Sequence, residues 1–201
     1  MNEVLLQCVG VTKSFGDFVA VRDVTFDVSR GEIVAILGPS GCGKTTVLRL
    51  IAGLERPDAG QILIRGELAS TPQRQTPPDK RGIGMVVQEY ALFPHMTVRQ
   101  NVAFGLNNLS NDQKKDRVAE VMSLVRLENL QGRYPHELSG GQQQRIALAR
   151  TMAPRPSAVL LDEPFSNIDA GLRSDVRRDV EEILRVNDIA AVLVTHDRDE
   201  A

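Results

Sequence analysis

Ile33–Thr46 reads IVAILGPSGCGKTT. Its first five residues are a short apolar run, the composition of a strand buried on both faces. The next nine, GPSGCGKTT, hold Gly38, Gly43, Lys44 and Thr45 at the fixed positions of a phosphate-binding loop. A triphosphate carries several negative charges that must be matched without a bulky pocket. Glycines let backbone N–H groups turn inward and approach the oxygens. A helix starting near Lys44 points its positive end at the same anion. Lys44 adds a full charge on the β and γ phosphates, and the Thr45 hydroxyl can ligate Mg²⁺. Pro39, Ser40, Gly41, Cys42 and Thr46 complete the expected nucleotide-binding stretch. Cys42 is either a small inert side chain or a thiol whose pKa the helix N-terminus lowers.

The loop needs partners at the ends of other strands. AVLLDEP (Ala158–Pro164) places two carboxylates after a buried apolar run. Asp162 is the residue expected to hold Mg²⁺, through water, because Mg²⁺ gives up water reluctantly. Glu163 can polarise an attacking water as general base. Gln88 follows a short strand ending in Val86-Val87, and its side-chain oxygen can reach the metal or the water. His196 follows IAAVLVT and can hydrogen-bond a γ-phosphate oxygen, since parallel sheets present the C-terminal ends of their strands to ligand. Thr45, Gln88 and Asp162 are therefore the expected metal ligands. Lys44, Gln88, Glu163 and His196 are the expected catalytic groups.

Outward from these stretches the chain alternates strand and helix. Residues 1–30 read as strands, with Val24–Val28 alternating apolar and polar. A helix is expected from about Lys44 to Ala52, closed by Gly53, and a strand over residues 60–66. Residues 70–82 carry three prolines and no period, so they read as a loop. Residues 97–130 read mostly as helix. The clearest piece is Asn111–Leu127, with Ser110 as N-cap and Gln113 completing a capping box. Gln142–Met152 and Leu172–Val186 read as further helices, Ala158–Leu161 and Ile189–Val194 as buried strands. This order predicts an α/β fold: a P-loop NTPase (RecA-like) core with a parallel sheet, an N-terminal antiparallel β subdomain and an inserted helical subdomain. The core and β subdomain are expected over about 1–88 and 151–201, the helical subdomain over about 89–150.

LSGGQ (Leu138–Gln142) is a second anion site. Ser139 is a good N-cap, and Gly140 and Gly141 expose N–H groups at a helix start. By composition the string arises in on the order of one chain in several thousand. A second cradle in one chain makes sense in a symmetric dimer, where each subunit closes over the γ-phosphate held by the other.

With these motifs together, essentially the whole chain resembles the ABC ATPase family. The resemblance makes GPSGCGKTT the Walker A loop, Gln88 the Q-loop residue, LSGGQ the signature, AVLLDE the Walker B strand, SNID (Ser166–Asp169) the D-loop and His196 the switch histidine. It implies that Phe15, in TKSFG, stacks on adenine, with Val21 in the same nucleotide site. It adds Ser139, Gly140, Gly141, Gln142 and Asp169 to the nucleotide contacts across the dimer. SNID departs from the more usual SALD, which puts cross-talk through Asn167 in question. Val86–Leu106 and Arg133–Arg145 resemble bacterial importer ATPases serving ferric iron, polyamines, sugars and small oxyanions; within that branch GRYPHELSGGQQQR (Gly132–Arg145) and THDRDEA (Thr195–Ala201) resemble ferric-iron importers most.

That resemblance implies ATP and Mg²⁺ as cofactors. The implied partners are a second copy or a similar subunit, integral membrane permease subunits docking near Tyr90–Val98, and indirectly a periplasmic or lipid-anchored solute-binding protein. The expected location is peripheral, on the cytoplasmic face of the inner membrane. The net charge of −2 gives no pull toward nucleic acid. No apolar run approaches the roughly 20 residues of a membrane span, and the N-terminus lacks the pattern of a signal peptide. The family continues past the switch histidine, so its C-terminal end is expected to be missing at Ala201, either cut away or absent from a shortened protein. Rival readings are a soluble ABC ATPase of DNA maintenance or the ribosome, an exporter half, and a P-loop small-molecule kinase. The short spacing from Lys44 to Ser139 speaks against the first, the single cassette against a ribosomal protein, the lack of a fused membrane domain against an exporter half, and LSGGQ against the kinase.

Overall fold

The structure is a computed structural model that describes residues 3–201. They form two compact units. The first holds the described residues to Met85 with Ser157–Glu163 and Leu184–Ala201, and the second holds Val86–Pro156 and Pro164–Ile183.

In chain order the first unit carries β1 (Val4–Phe15), β2 (Phe18–Ser29), β3 (Ile33–Leu37), α1 (Lys44–Ala52), β4 (Ala59–Ile64), β5 (Glu67–Ser70), β6 (Ile83–Val86, ending at the boundary), β7 (Ala158–Asp162) and β8 (Ala190–Thr195). An antiparallel sheet has the order β2-β1-β4-β5, and a second sheet the order β3-β8-β7-β6. In β2 the alternation holds: Val24 and Phe26 are half-buried and Val28 buried, while Thr25 and Asp27 face solvent. β5 is a strand beyond those expected. Four residues of mixed polarity, ELAS, carry little signal of their own. They pair because Arg65 and Gly66, at φ 52° and 75°, turn the chain back on β4 in the left-handed geometry that matches strand twist.

Strand β8 runs parallel to β3 and to β7. Leu37 pairs with Thr195 and Asp162 with Val194, so these strands finish at one edge. The loops after them start side by side. β7 and β8 are buried along their whole length, whereas β3 is only half-buried and Leu37 is exposed. The expectation of a fully buried β3 is corrected by its place: it is the edge strand of its sheet. One apolar core joins both sheets through α1, with Leu6, Leu48, Ile51, Ile62 and Leu160 at its centre.

Arg81 ties this core at the far end of α1. Its guanidinium is buried and donates to the carbonyls of Leu50 (3.0 Å), Ile51 (2.7 Å), Thr76 (2.8 Å) and Ala69 (3.4 Å) and to the Ser70 hydroxyl (2.5 Å). Leu50 and Ile51 end α1, where carbonyls lack intrahelical partners and a cation is favoured. Gly53 closes the helix at φ 82°, and a Cβ there would fall on the guanidinium.

The second unit is helical: α2 (Val98–Ala103), α3 (Asn111–Leu124), α4 (Gly140–Met152) and all but the last turn of α5 (Ala170–Val186). Thr97/Gln100, Ser110/Gln113 and Ser139/Gln142 each form a capping box. Val98, Val102, Val121, Met122, Ile146 and Leu148 are fully buried in it. α3 stops three residues before the expected Leu127, because Val125 leaves helical geometry and Arg126 sits at φ 57°. Among the described residues no helix is long and apolar enough to cross a membrane.

Candidate functional site

The first unit gathers Lys44, Thr45, Asp162, Glu163 and His196 at the finishing edge of its parallel sheet. Leaving β3, Gly38 N–H donates to the Thr195 carbonyl at 3.3 Å. Gly43 is the N-cap of α1 at φ 99°, and a Cβ there would land on the Ala20 carbonyl. Glycine is required both for the dihedral and for the close approach to β2. Val21 is buried beneath Gly43 and belongs to the core. At Gly38 a Cβ would stand 2.6 Å from Cys42 Sγ, so a larger residue there would have to displace that thiol. Pro39, Ser40, Gly41 and Cys42 are exposed on the loop, and Thr46 is half-buried in the first turn of α1.

Lys44 is only 6% exposed. Its ammonium donates to the carbonyls of Gly38 (2.8 Å) and Pro39 (3.0 Å) and lies 3.9 Å from Glu163 Oε1. It is a buried positive charge curled inside its own loop. The Thr45 hydroxyl donates to Asp162 Oδ1 at 3.0 Å. Burial pushes the Asp162 carboxyl above its ordinary range, and the Thr45 hydrogen bond partly offsets this. Glu163 turns the chain at φ 44°, its N–H bonded to the Val194 carbonyl at 3.0 Å. That turn brings Glu163 Oε2 within 3.2 Å of His196 Nδ1, on a half-exposed imidazole. Phe15, at the end of β1, is 47% exposed, with Lys13 Nζ 5.3 Å above its ring.

Thr45 and Asp162 place two hard oxygen donors side by side, one of them a carboxyl that burial pushes above its ordinary range. This donor set fits Mg²⁺. Among the described residues no three or more His, Cys, Asp or Glu side chains could hold a metal.

The second unit carries the other candidates. Ser139 Oγ accepts from Gln142 N–H at 3.4 Å, and Gln142 Oε1 accepts from Ser139 N–H at 3.0 Å. Gly140 and Gly141 lie inside the first turn of α4, which starts two residues before the expected Gln142. Their N–H groups are thus first-turn donors without intrahelical partners. A Cβ on Gly141 would stand 2.7 Å from a Val176 methyl. Gln88 is exposed, and its carbonyl accepts from Asn167 Nδ2 at 2.9 Å. Asp169 is exposed, and its carbonyl starts α5 by accepting from Leu172 and Arg173.

Sequence reasoning missed Arg150, whose guanidinium holds the carbonyls of Ala91 (2.7 Å) and Tyr90 (2.9 Å). No local pattern marks a helix arginine as the clamp of a loop sixty residues earlier. A groove of about 440 Å³ in this unit, lined by Leu106, Arg117, Glu120 and Pro154 among others, contains none of the candidate residues.

The model of the family described as "ABC transporter" matches residues 21–166. The chain is 49% identical over 197 residues, 98% of its length, to the Fe(3+) ions import ATP-binding protein of Mesorhizobium japonicum, of which it covers 54%. It is 50% identical over 193 residues, 95% of its length, to the sulfate/thiosulfate import ATP-binding protein of a Synechocystis species, of which it covers 53%. The chain thus spans about half the length of these curated relatives. Among solved structures it is similar to cbiO1 of Clostridium perfringens, part of an ABC transporter complex (TM-score 0.86, 29% identity, 97% of this chain and 79% of that one). It is likewise similar to a bacterial ABC transporter cassette solved as a dimer (TM-score 0.80, 30% identity, 98% and 90%).

Proposed function

Because this chain belongs to the ABC transporter family, we propose that it binds and hydrolyses ATP as the motor of a solute importer whose membrane-spanning part lies on other polypeptides. The observation that carries this reading is the cluster in the first unit: Lys44 and Thr45 on one loop, facing Asp162 and Glu163, with His196 against Glu163.

ATP binds along the loop from Gly38 to Thr46, with its adenine on Phe15, whose ring stands exposed. Lys44 exchanges its two carbonyl partners for phosphate oxygens, a stronger charge-assisted pairing. Thr45 and Asp162 would hold Mg²⁺, which would supply positive charge against the phosphate oxygens. Gln88 faces the metal or the attacking water, an assignment that rests on its motif. Glu163 takes a proton from the water, and His196 orients Glu163 and the γ-phosphate. The Ser139-capped turn of α4, with Gly140, Gly141 and Gln142, offers first-turn N–H groups to an ATP held by a second copy, with Asp169 near that contact. Closure of the two copies then excludes water and completes each site. The likeness to a dimeric cassette supports this pairing.

Membrane permease subunits dock on the second unit near Tyr90–Val98, placing the chain at the cytoplasmic face of the inner membrane. A solute-binding protein joins indirectly, and nucleic acid plays no part. The relatives named for iron and for sulfate are equally similar, as expected if this subunit never touches cargo. Ferric iron is the first cargo to test.

The test is a pull-down of the full-length protein carrying Glu163→Gln from gently solubilised native membranes with ATP and Mg²⁺. Co-purification of a polytopic membrane protein is the expected result. Recovery of ribosomes or DNA-repair proteins, with no membrane protein, would leave the ATPase standing and overturn transport.

A further inference from the structure

On the reading that Gln88 faces the metal or the attacking water, we infer that Asn167 is a positioning residue whose side-chain amide fixes the backbone of Gln88 and so sets how its side chain is delivered. Asn167 Nδ2 donates to the Gln88 carbonyl at 2.9 Å. An alanine at this position makes no such bond.

Both sides of the bond are anchored. Phe165 and Ile168 flank Asn167 and are buried, and Ile168 N–H donates to the Phe165 carbonyl at 3.2 Å. The Asn167 carbonyl lies 3.4 Å from where a Cβ on Gly140 would stand, so the same residue abuts the first turn of α4. On the acceptor side, Tyr90 and Ala91 occupy the left-handed region at φ 60° and 47°, which non-glycine residues adopt at a cost. Arg150 holds their carbonyls, and Tyr90 is buried. Residues 88–91 thus have two side-chain tethers: Arg150 on the strained pair and Asn167 on Gln88 itself. With Arg150 in place, loss of the Asn167 amide frees the end of the segment that carries the functional side chain. Alanine leaves the Gln88 carbonyl to water. Aspartate, of the same shape, sets a carboxylate oxygen against it. Histidine keeps an N–H donor at a similar reach from the backbone.

Hydrogen exchange read by mass spectrometry on the full chain, without nucleotide or added metal, tests the tether directly. The Tyr90 and Ala91 N–H groups bond to the carbonyls of Val87 (2.9 Å) and Glu89 (2.6 Å) within this segment. They are expected to exchange about 2- to 10-fold faster in Asn167→Ala, the range of one exposed hydrogen bond. Exchange rises further in Asn167→Asp and returns toward wild type in Asn167→His. In ATP hydrolysis, the free Mg²⁺ that gives half-maximal rate should rise by a similar factor in Asn167→Ala, with KM for ATP and the circular dichroism spectrum unchanged. Gln88→Ala should mask that shift in the double variant. Unchanged exchange overturns the tether. Faster exchange with an unchanged Mg²⁺ response, or equal shifts with and without Gln88, overturns the positioning role. A wild-type chain that hydrolyses no ATP overturns the ATPase reading itself, and the exchange data then judge the tether alone.

Discussion

Replacing Arg81 tests how α1 is held. The guanidinium is 4% exposed and makes five hydrogen bonds to four carbonyls and one hydroxyl. No carboxylate is among these partners, so the charge is balanced by carbonyl dipoles, two of them at the C-terminus of α1. Burial lowers the guanidinium pKa, the sign of that desolvation. Hydrogen bonds to a charged group contribute about 1.5–3 kcal/mol each, and a buried acceptor left bare costs about 1–3 kcal/mol. Water entering the vacated space recovers much of this, and removing the charge relieves its desolvation. The net loss expected for Arg81→Ala is about 4 kcal/mol, in the range seen when a buried polar network is broken. For a chain of this size that is a fall in Tm of about 8–16 °C. Arg81→Lys keeps the charge but loses the planar fork, and should lose about half as much. Urea unfolding followed by circular dichroism at neutral pH measures both. A loss below about 1 kcal/mol in Arg81→Ala would refute the staple, as would a lysine variant weaker than the alanine one.

Lys44→Ala removes the only charge inside the loop and should weaken ATP binding by about 100- to 1,000-fold, the loss of two charge-assisted bonds; unchanged affinity in equilibrium dialysis refutes the cradle. Cys42 is exposed and Cys8 buried, so a maleimide should label Cys42 alone in the folded chain, and ATP should protect it. Equal labelling with and without ATP removes Cys42 from the site. Burial pushes the Cys8 thiol from 9.0 to about 12, so the folded state resists its ionisation. With the folded pKa above the unfolded one, its stabilising contribution is complete below pH 9 and is lost as pH rises toward 12. Cys8→Ala should therefore flatten stability against pH in that window, and parallel wild-type and variant curves count against it. Ser139→Ala breaks a capping box and should cost about 1 kcal/mol of stability, with a larger loss of ATP turnover than of ATP affinity; a variant with unchanged turnover overturns the role of this turn.

Much of the molecule could be read from the order of residues alone. The α1 helix, its closure at Gly53, the Ser110 and Ser139 caps and the buried strands β7 and β8 all rest on patterns a few residues long. Glycine dihedrals, side chains three residues apart and uninterrupted apolar runs are local facts, and local energetics decide them. The candidate residues were legible for the same reason: loop chemistry at Gly38–Thr46 and Asp162-Glu163 depends on neighbours in sequence. Other features needed the fold. β5 exists only because β4 presents an edge, and β3 is half-buried because it lies at the sheet's margin. Thr45 meets Asp162, and Glu163 meets His196, because parallel pairing brings distant strand ends to one line. Arg81 and Arg150 serve carbonyls far away in the chain, and Asn167 reaches Gln88 across almost eighty residues. A hydrogen bond depends on distance in space, and the spacing of residues along a chain encodes that distance only within a turn or two of helix or strand. The residue types proposed to do the chemistry therefore follow from the order of residues, and the partners that hold them in place from the tertiary structure.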